Sequence, residues 1–137
     1  MSITLLDNPF WYALNSNHRH LAIWGNIAAR YQPDVSFAAA MPENNTLGFD
    51  DLRSLVVIDE MIFVLGELPE DLPGWEVSQT SQYPQMICED LKPRPHLEAI
   101  YLTTDDVPDM LDLVALTHPG PFLPRTIEMG KYLGLHR

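Results

Sequence analysis

Thr104-Asp105-Asp106-Val107-Pro108-Asp109-Met110-Leu111, then Leu116-Thr117-His118-Pro119-Gly120-Pro121-Phe122, then Pro124-Arg125-Thr126-Ile127-Glu128-Met129-Gly130-Lys131-Tyr132-Leu133-Gly134, is the stretch whose pattern decides the fold. Asp105 or Thr104 is placed to cap a helix, because a short oxygen-bearing side chain accepts hydrogen bonds from free first-turn amides and acids suit the positive helix end. Pro108 falls in the first turn, where a missing N–H costs nothing. Val107, Met110, Leu111 and Val114 share one helical face, with Leu113 and Leu116 beside it. The run 117–121 must stop that helix. Residues 124–129 read as a second short helix closed by Gly130, and a strand begins at Tyr132. Residues 97–102 upstream read as another strand. The order is strand, helix, Pro/Gly break, short helix, strand.

Moving outward, Lys92-Pro93-Arg94-Pro95 is the best linker, because two prolines in four residues cannot serve a central ladder. The boundaries that follow are a region 1–91, a linker 92–96 and a last segment 97–137. In the first region Asn8-Pro9 opens a helix. Trp11, Leu14, His18, Leu21, Gly25 and Ala28 continue at helical spacing until Gln32-Pro33-Asp34. Residues 37–41 are a short apolar run and 42–45 a turn. Residues 55–65 contain two apolar runs split by Asp59-Glu60, which predicts two strands and a tight connection. Gly66, Pro69, Pro73 and Gly74 mark a loop, and 75–77 and 86–88 are further candidate strands. The expected class is α+β.

Composition narrows the functions. The chain has 137 residues with 46% hydrophobic and 20% charged, ordinary globular usage. Asp+Glu number 19 against 8 Lys+Arg, for a net charge of −11. The acids concentrate in 1–91, where only Arg19, Arg30 and Arg53 oppose them. Such a surface repels phosphate backbones and anionic lipid, which argues against nucleic acid and membrane partners, and it tolerates a cationic amine. It is also what a plain solvated acidic surface looks like. Cys88 is the single cysteine, so no intrachain disulfide forms, in keeping with a reducing cytoplasm. No secretion signal opens the chain and no apolar run approaches a membrane span.

The residues of 104–134 resemble a bacterial subgroup of the GNAT superfamily of N-acetyltransferases whose members carry an extra N-terminal region. Asn8-Pro9-Phe10-Trp11-Tyr12-Ala13-Leu14, Ala28-Ala29-Arg30-Tyr31 and Gln85-Met86 are similar to that region, more loosely. The resemblance implies that 97–137 is the first strand-helix-helix-strand of a GNAT fold, incomplete, and that the reaction is acetyl transfer from acetyl-CoA to an amine acceptor. In the family the donor's pyrophosphate sits on a Gln/Arg-x-x-Gly-x-Gly/Ala turn at a helix N-terminus, where free amides hold it and glycines let the backbone approach. Here the seven glycines are isolated and no Gly-x-Gly occurs. Acetyl-CoA is therefore expected as co-substrate of the intact family but not as a ligand of these 137 residues alone, which are expected to be inactive. Catalytic residues are expected beyond Arg137.

By the same resemblance, the helices after the first strand border the acceptor cleft. Phe122, Arg125, Thr126 and Glu128 become the acceptor-side candidates. The residue chemistry leaves blander roles open for each: a local ion pair for Arg125 and Glu128, a packing anchor for Phe122, a helix-start bond for Thr126. His18-Arg19-His20 suggests a metal only superficially, since helical neighbours two apart point away from each other. Cys88 lies beside Glu89 and Asp90, a poor setting for a thiolate. Trp11, Trp24 and Trp75 read as core anchors. The alternative to an enzyme part is a non-catalytic module that completes its sheet with a second copy or another chain.

Overall fold

The computed structural model describes residues 4–94 and 98–135. A one-turn helix α1 (Thr4–Asp7) leads into α2 (Pro9–Leu14), with Pro9 in the first turn as the sequence requires. Helix α2 stops at once. Asn15 and Ser16 fold their side chains back onto the carbonyls of Trp11 and Tyr12, at 2.8 and 2.7 Å, which competes with continuation of the helix. A 3₁₀ turn (Arg19–Leu21) then feeds an antiparallel hairpin, β1 (Ala22–Trp24) and β2 (Ala29–Tyr31). The long helix expected to run on toward Gln32 is thus half helix and half hairpin. Asn26-Ile27 bend the chain between the strands, with the Gly25 amide donating to Ala28 O at 2.8 Å, and Leu21 and Ala28 are buried on the two faces of the sheet rather than along one helix.

The hairpin belongs to a four-stranded sheet in the order β1-β2-β3-β4, completed by β3 (Ala38–Ala40) and β4 (Phe63–Val64). β2 and β3 are antiparallel, and β3 and β4 are parallel. The two faces alternate strictly. Ala29, Tyr31, Ala38 and Ala40 join Leu14 and Leu21 in one core, with Phe10 and Trp11 of α2 packed on it. Ala28, Ala39 and Met41 face the other way, against helix α3 (Thr46–Arg53) through Phe49 and Leu52. Asn45 caps α3, its Oδ1 accepting from the Gly48 amide at 2.9 Å. Alanines in β3 let both helices approach the sheet closely.

Three other expectations are corrected. Residues 55–65 form one short strand rather than two, because the segment before β4 turns to carry Glu60 onto Arg30. Residues 75–77 and 86–88 are not strands. They belong to an irregular run, 65–94, punctuated by prolines and held by side chains: Trp75 Nε1 donates to Phe49 O at 3.1 Å, and Gln85 Nε2 to Leu6 O at 2.7 Å. The cap before the long helix is Thr103, whose side chain accepts from the Asp105 amide while Asp106 accepts from the Thr103 amide.

The last segment follows its expected order. β5 (Ile100–Tyr101) leads through a 3₁₀ turn to helix α4 (Val107–Thr117). His118, in the left-handed region at φ 48°, ends that helix. A 3₁₀ turn (Thr126–Met129) follows, and β6 (Leu133–Gly134) pairs antiparallel with β5. Gly134 lies under Leu102, where a Cβ would collide with the leucine side chain. Of the expected 97–102 strand, 100–101 form β5 and 98–99 do not, while residue 97 and the 95–96 end of the linker lie outside the described residues.

Candidate functional site

The turn after α4 does not stand apart from the first region. Its residues are stitched to the chain that leaves β2. The Arg125 amide donates to Asp34 O at 3.0 Å, and the Thr126 hydroxyl donates to Val35 O at 2.6 Å. Arg125 Nη1 reaches Gln32 Oε1 at 2.6 Å and Asp34 Oδ1 at 3.2 Å. The other side of the guanidinium forks onto Glu128, with Nε and Nη2 at 2.7 and 2.8 Å from its two oxygens. Glu128 is therefore held below the usual carboxylate range by Arg125, and Arg125 is raised further above its ordinary value, chiefly by Glu128. Neither group is poised to take up a proton at neutral pH. What the cluster offers is hydrogen bonding and charge: one cation between two carboxylates.

Thr126 also accepts from the Leu123 amide at 2.8 Å, so its hydroxyl is used twice. Phe122 packs edge-on to Tyr132, ring centroids 5.7 Å apart, and the Tyr132 hydroxyl donates to Thr126 O at 3.3 Å. Burial raises the Tyr132 pKa. The structure thus brings Arg125, Thr126 and Glu128 into one cluster with Gln32 and Asp34, and sets Phe122 beside Tyr132 on the same segment.

Sequence reasoning missed the partners from the first region. His18 Nε2 lies 2.7 Å from Met129 O and Nδ1 lies 2.6 Å from the Tyr31 hydroxyl. A carbonyl only accepts, so Nε2 carries a proton, and in the neutral ring Nδ1 accepts from Tyr31. Tyr31 is fully buried, which pushes its pKa up to about 12. His18 attracts notice in the sequence as a helical-face position and as part of His18-Arg19-His20, and both short-range patterns conceal a partner 111 positions away.

The amides of the β1–β2 turn are already engaged. The Asn26, Ile27 and Ala28 amides of the β1–β2 turn converge on the Asp51 carboxylate at 2.8–3.1 Å. The start of α4 carries Asp105, Asp106 and Asp109, which repel phosphate. Among the described residues, no group of three or more His, Cys, Asp or Glu side chains is placed to hold a metal ion. No helix of the described residues is long and apolar enough to cross a membrane.

No protein-family model and no curated protein sequence matches the chain. A solved structure does: a protein from Novosphingobium aromaticivorans assigned to the GNAT acetyltransferase family, at a TM-score of 0.73 and 24% identity. The likeness fixes the fold. It covers 96% of this chain and 59% of the other, so the chain is a mixed α/β unit that spans about three fifths of that GNAT protein.

Proposed function

We propose that these residues are the N-terminal part of a GNAT N-acetyltransferase that moves an acetyl group from acetyl-CoA to an amine. In this reading 1–91 is the extra N-terminal region and 97–137 opens the acetyltransferase domain. The single observation that carries it is the structural match, which extends over both parts at once. Phe122, Arg125, Thr126 and Glu128 then form the acceptor-side wall. Arg125 is neutralised within its own cluster by Asp34 and Glu128, so the wall keeps a surplus negative charge suited to an amine. The attacking amine must be neutral, and the base that takes its proton is supplied by polypeptide outside these residues. The donor pocket lies there too, since a pyrophosphate needs a glycine-lined set of free amides and the candidate amides here are capped or faced by acids.

Calorimetry tests the division of labour. Acetyl-CoA is titrated into the 137-residue chain and into the product of the complete reading frame that encodes it. Micromolar binding by the complete product alone is expected. Micromolar binding by the 137 residues overturns the placement of the donor site, and no binding by either overturns the acetyltransferase reading.

A further inference from the structure

The segment from Phe122 to Tyr132 touches the first region at two ends. At its start Arg125 reaches the half-buried Gln32 and the exposed Asp34, and Thr126 bonds to the carbonyl of the buried Val35. At its end Met129 packs on the core formed by Leu14, Leu21 and Tyr31, and its carbonyl accepts from His18. The imidazole is a rigid spacer with one donor and one acceptor on opposite sides of the ring. One side is fixed by Tyr31, a side chain wholly buried in the central strand β2 and braced edge-on by Phe10 at 6.2 Å. The other side therefore presents an N–H at a position set by the middle of the sheet.

We propose that His18, anchored by Tyr31, is the latch that seats the 122–132 segment on the N-terminal sheet, and that it is a positioning residue for the amine acceptor. The second half of that statement rests on the acetyltransferase reading; the first stands on geometry alone. The N-terminal region then acts as the platform that sets the acceptor-side wall, so a change at His18, 111 positions from its partner Met129, alters how that wall meets its substrate.

Amide hydrogen exchange on the 137-residue chain tests the latch without any ligand. In His18→Ala the Thr126 and Glu128 amides are expected to exchange about tenfold faster, the scale of one lost hydrogen bond, while those of β2 and β3 hold. His18→Gln keeps a donor within reach of Met129 O and is expected to restore most of the protection. Unchanged exchange at Thr126 and Glu128 in a folded His18→Ala protein overturns the latch. Should that variant fail to fold, Tyr31→Phe decides: it keeps the ring and removes only the hydroxyl, and protection equal to wild type overturns the proposal.

The acceptor half is read on the complete gene product, with lysine, n-butylamine and a dipeptide amino terminus as probes. For a probe that is turned over, His18→Gln is expected to stay near wild type. His18→Ala is expected to raise the amine KM about tenfold, the same single-bond scale, and leave the acetyl-CoA KM unchanged. Equal shifts in both KM values overturn the positioning role. If wild type turns over none of the probes, the acceptor half falls with the acetyltransferase reading, and the exchange experiment still decides the latch.

Discussion

Thr126 donates its hydroxyl to the carbonyl of Val35 at 2.6 Å, across 91 positions of sequence. The same oxygen accepts from the Leu123 amide, so one small side chain ties a local turn to a distant loop. Thr126→Val keeps the shape and removes both bonds. Urea unfolding is expected to show a loss of about 1–3 kcal/mol, since two backbone groups lose their partner. Thr126→Ser, which keeps the hydroxyl, is expected to lose much less.

Arg30 is the one charged residue that is wholly buried among those described, at 1% exposure. Its guanidinium forks onto Glu60, and its remaining donors reach Leu55 O and Tyr31 O, both at 3.1 Å. Removing one partner of such a pair strands the other. Glu60→Ala is expected to cost about 3–5 kcal/mol in thermal or urea unfolding. The paired change Arg30→Met with Glu60→Leu is expected to recover a large part of that loss, because it leaves no charge stranded.

Acid is expected to weaken the fold through Asp51 and Glu60, in addition to the exposed Glu128 of the Arg125 cluster. Asp51 is held below its ordinary value by the Ala28 and Ile27 amides above all, and Glu60 by Arg30. A carboxylate with a lowered folded pKa contributes stability that is complete above the unfolded value, about 4, and is lost as pH falls through the folded value. The melting temperature is therefore expected to fall below about pH 4 and to do so less steeply in Asp51→Asn. Gly25→Ala attacks the same point sterically, since a methyl there collides with the Asp51 carboxylate.

At the alkaline end the sign reverses. Tyr31 rises from 10.0 to about 12 on folding because burial disfavours the phenolate. Stability from that group is complete below pH 10.0 and is lost as pH climbs through about 12. Tyr31→Phe is expected to flatten the alkaline limb of a melting-temperature profile over that range. An unchanged limb assigns the loss to other groups, Tyr132 among them.

Much of the last segment is legible in the sequence, and the reasons are local. Pro108, the 117–121 breaker and Gly130 each act on their own few residues, and α4 and the turn after it begin and end where these residues require. The first region is harder. Leu14, Leu21 and Ala28 fit helical spacing, yet Asn15 and Ser16 end the helix and Asn26-Ile27 turn a hairpin, so tertiary burial overrides periodicity. Helix α3 is concealed because Thr46-Leu47-Gly48-Phe49 looks like loop chemistry and only its Asn45 cap announces it. The site is half legible. Resemblance points to Phe122, Arg125, Thr126 and Glu128, but nothing local announces that Gln32, Asp34 and His18 come to meet that segment, because those contacts are set by how β2 and α2 pack.

The most direct test of the central claim is acetyl transfer itself. The complete gene product is incubated with acetyl-CoA and a panel of primary amines, with free coenzyme thiol and acetylated amine measured together. Thiol release is expected to depend on the amine and to match the acetylated product one for one. A folded protein that binds acetyl-CoA yet acetylates no amine, or releases thiol at a rate indifferent to amine, would contradict the claim.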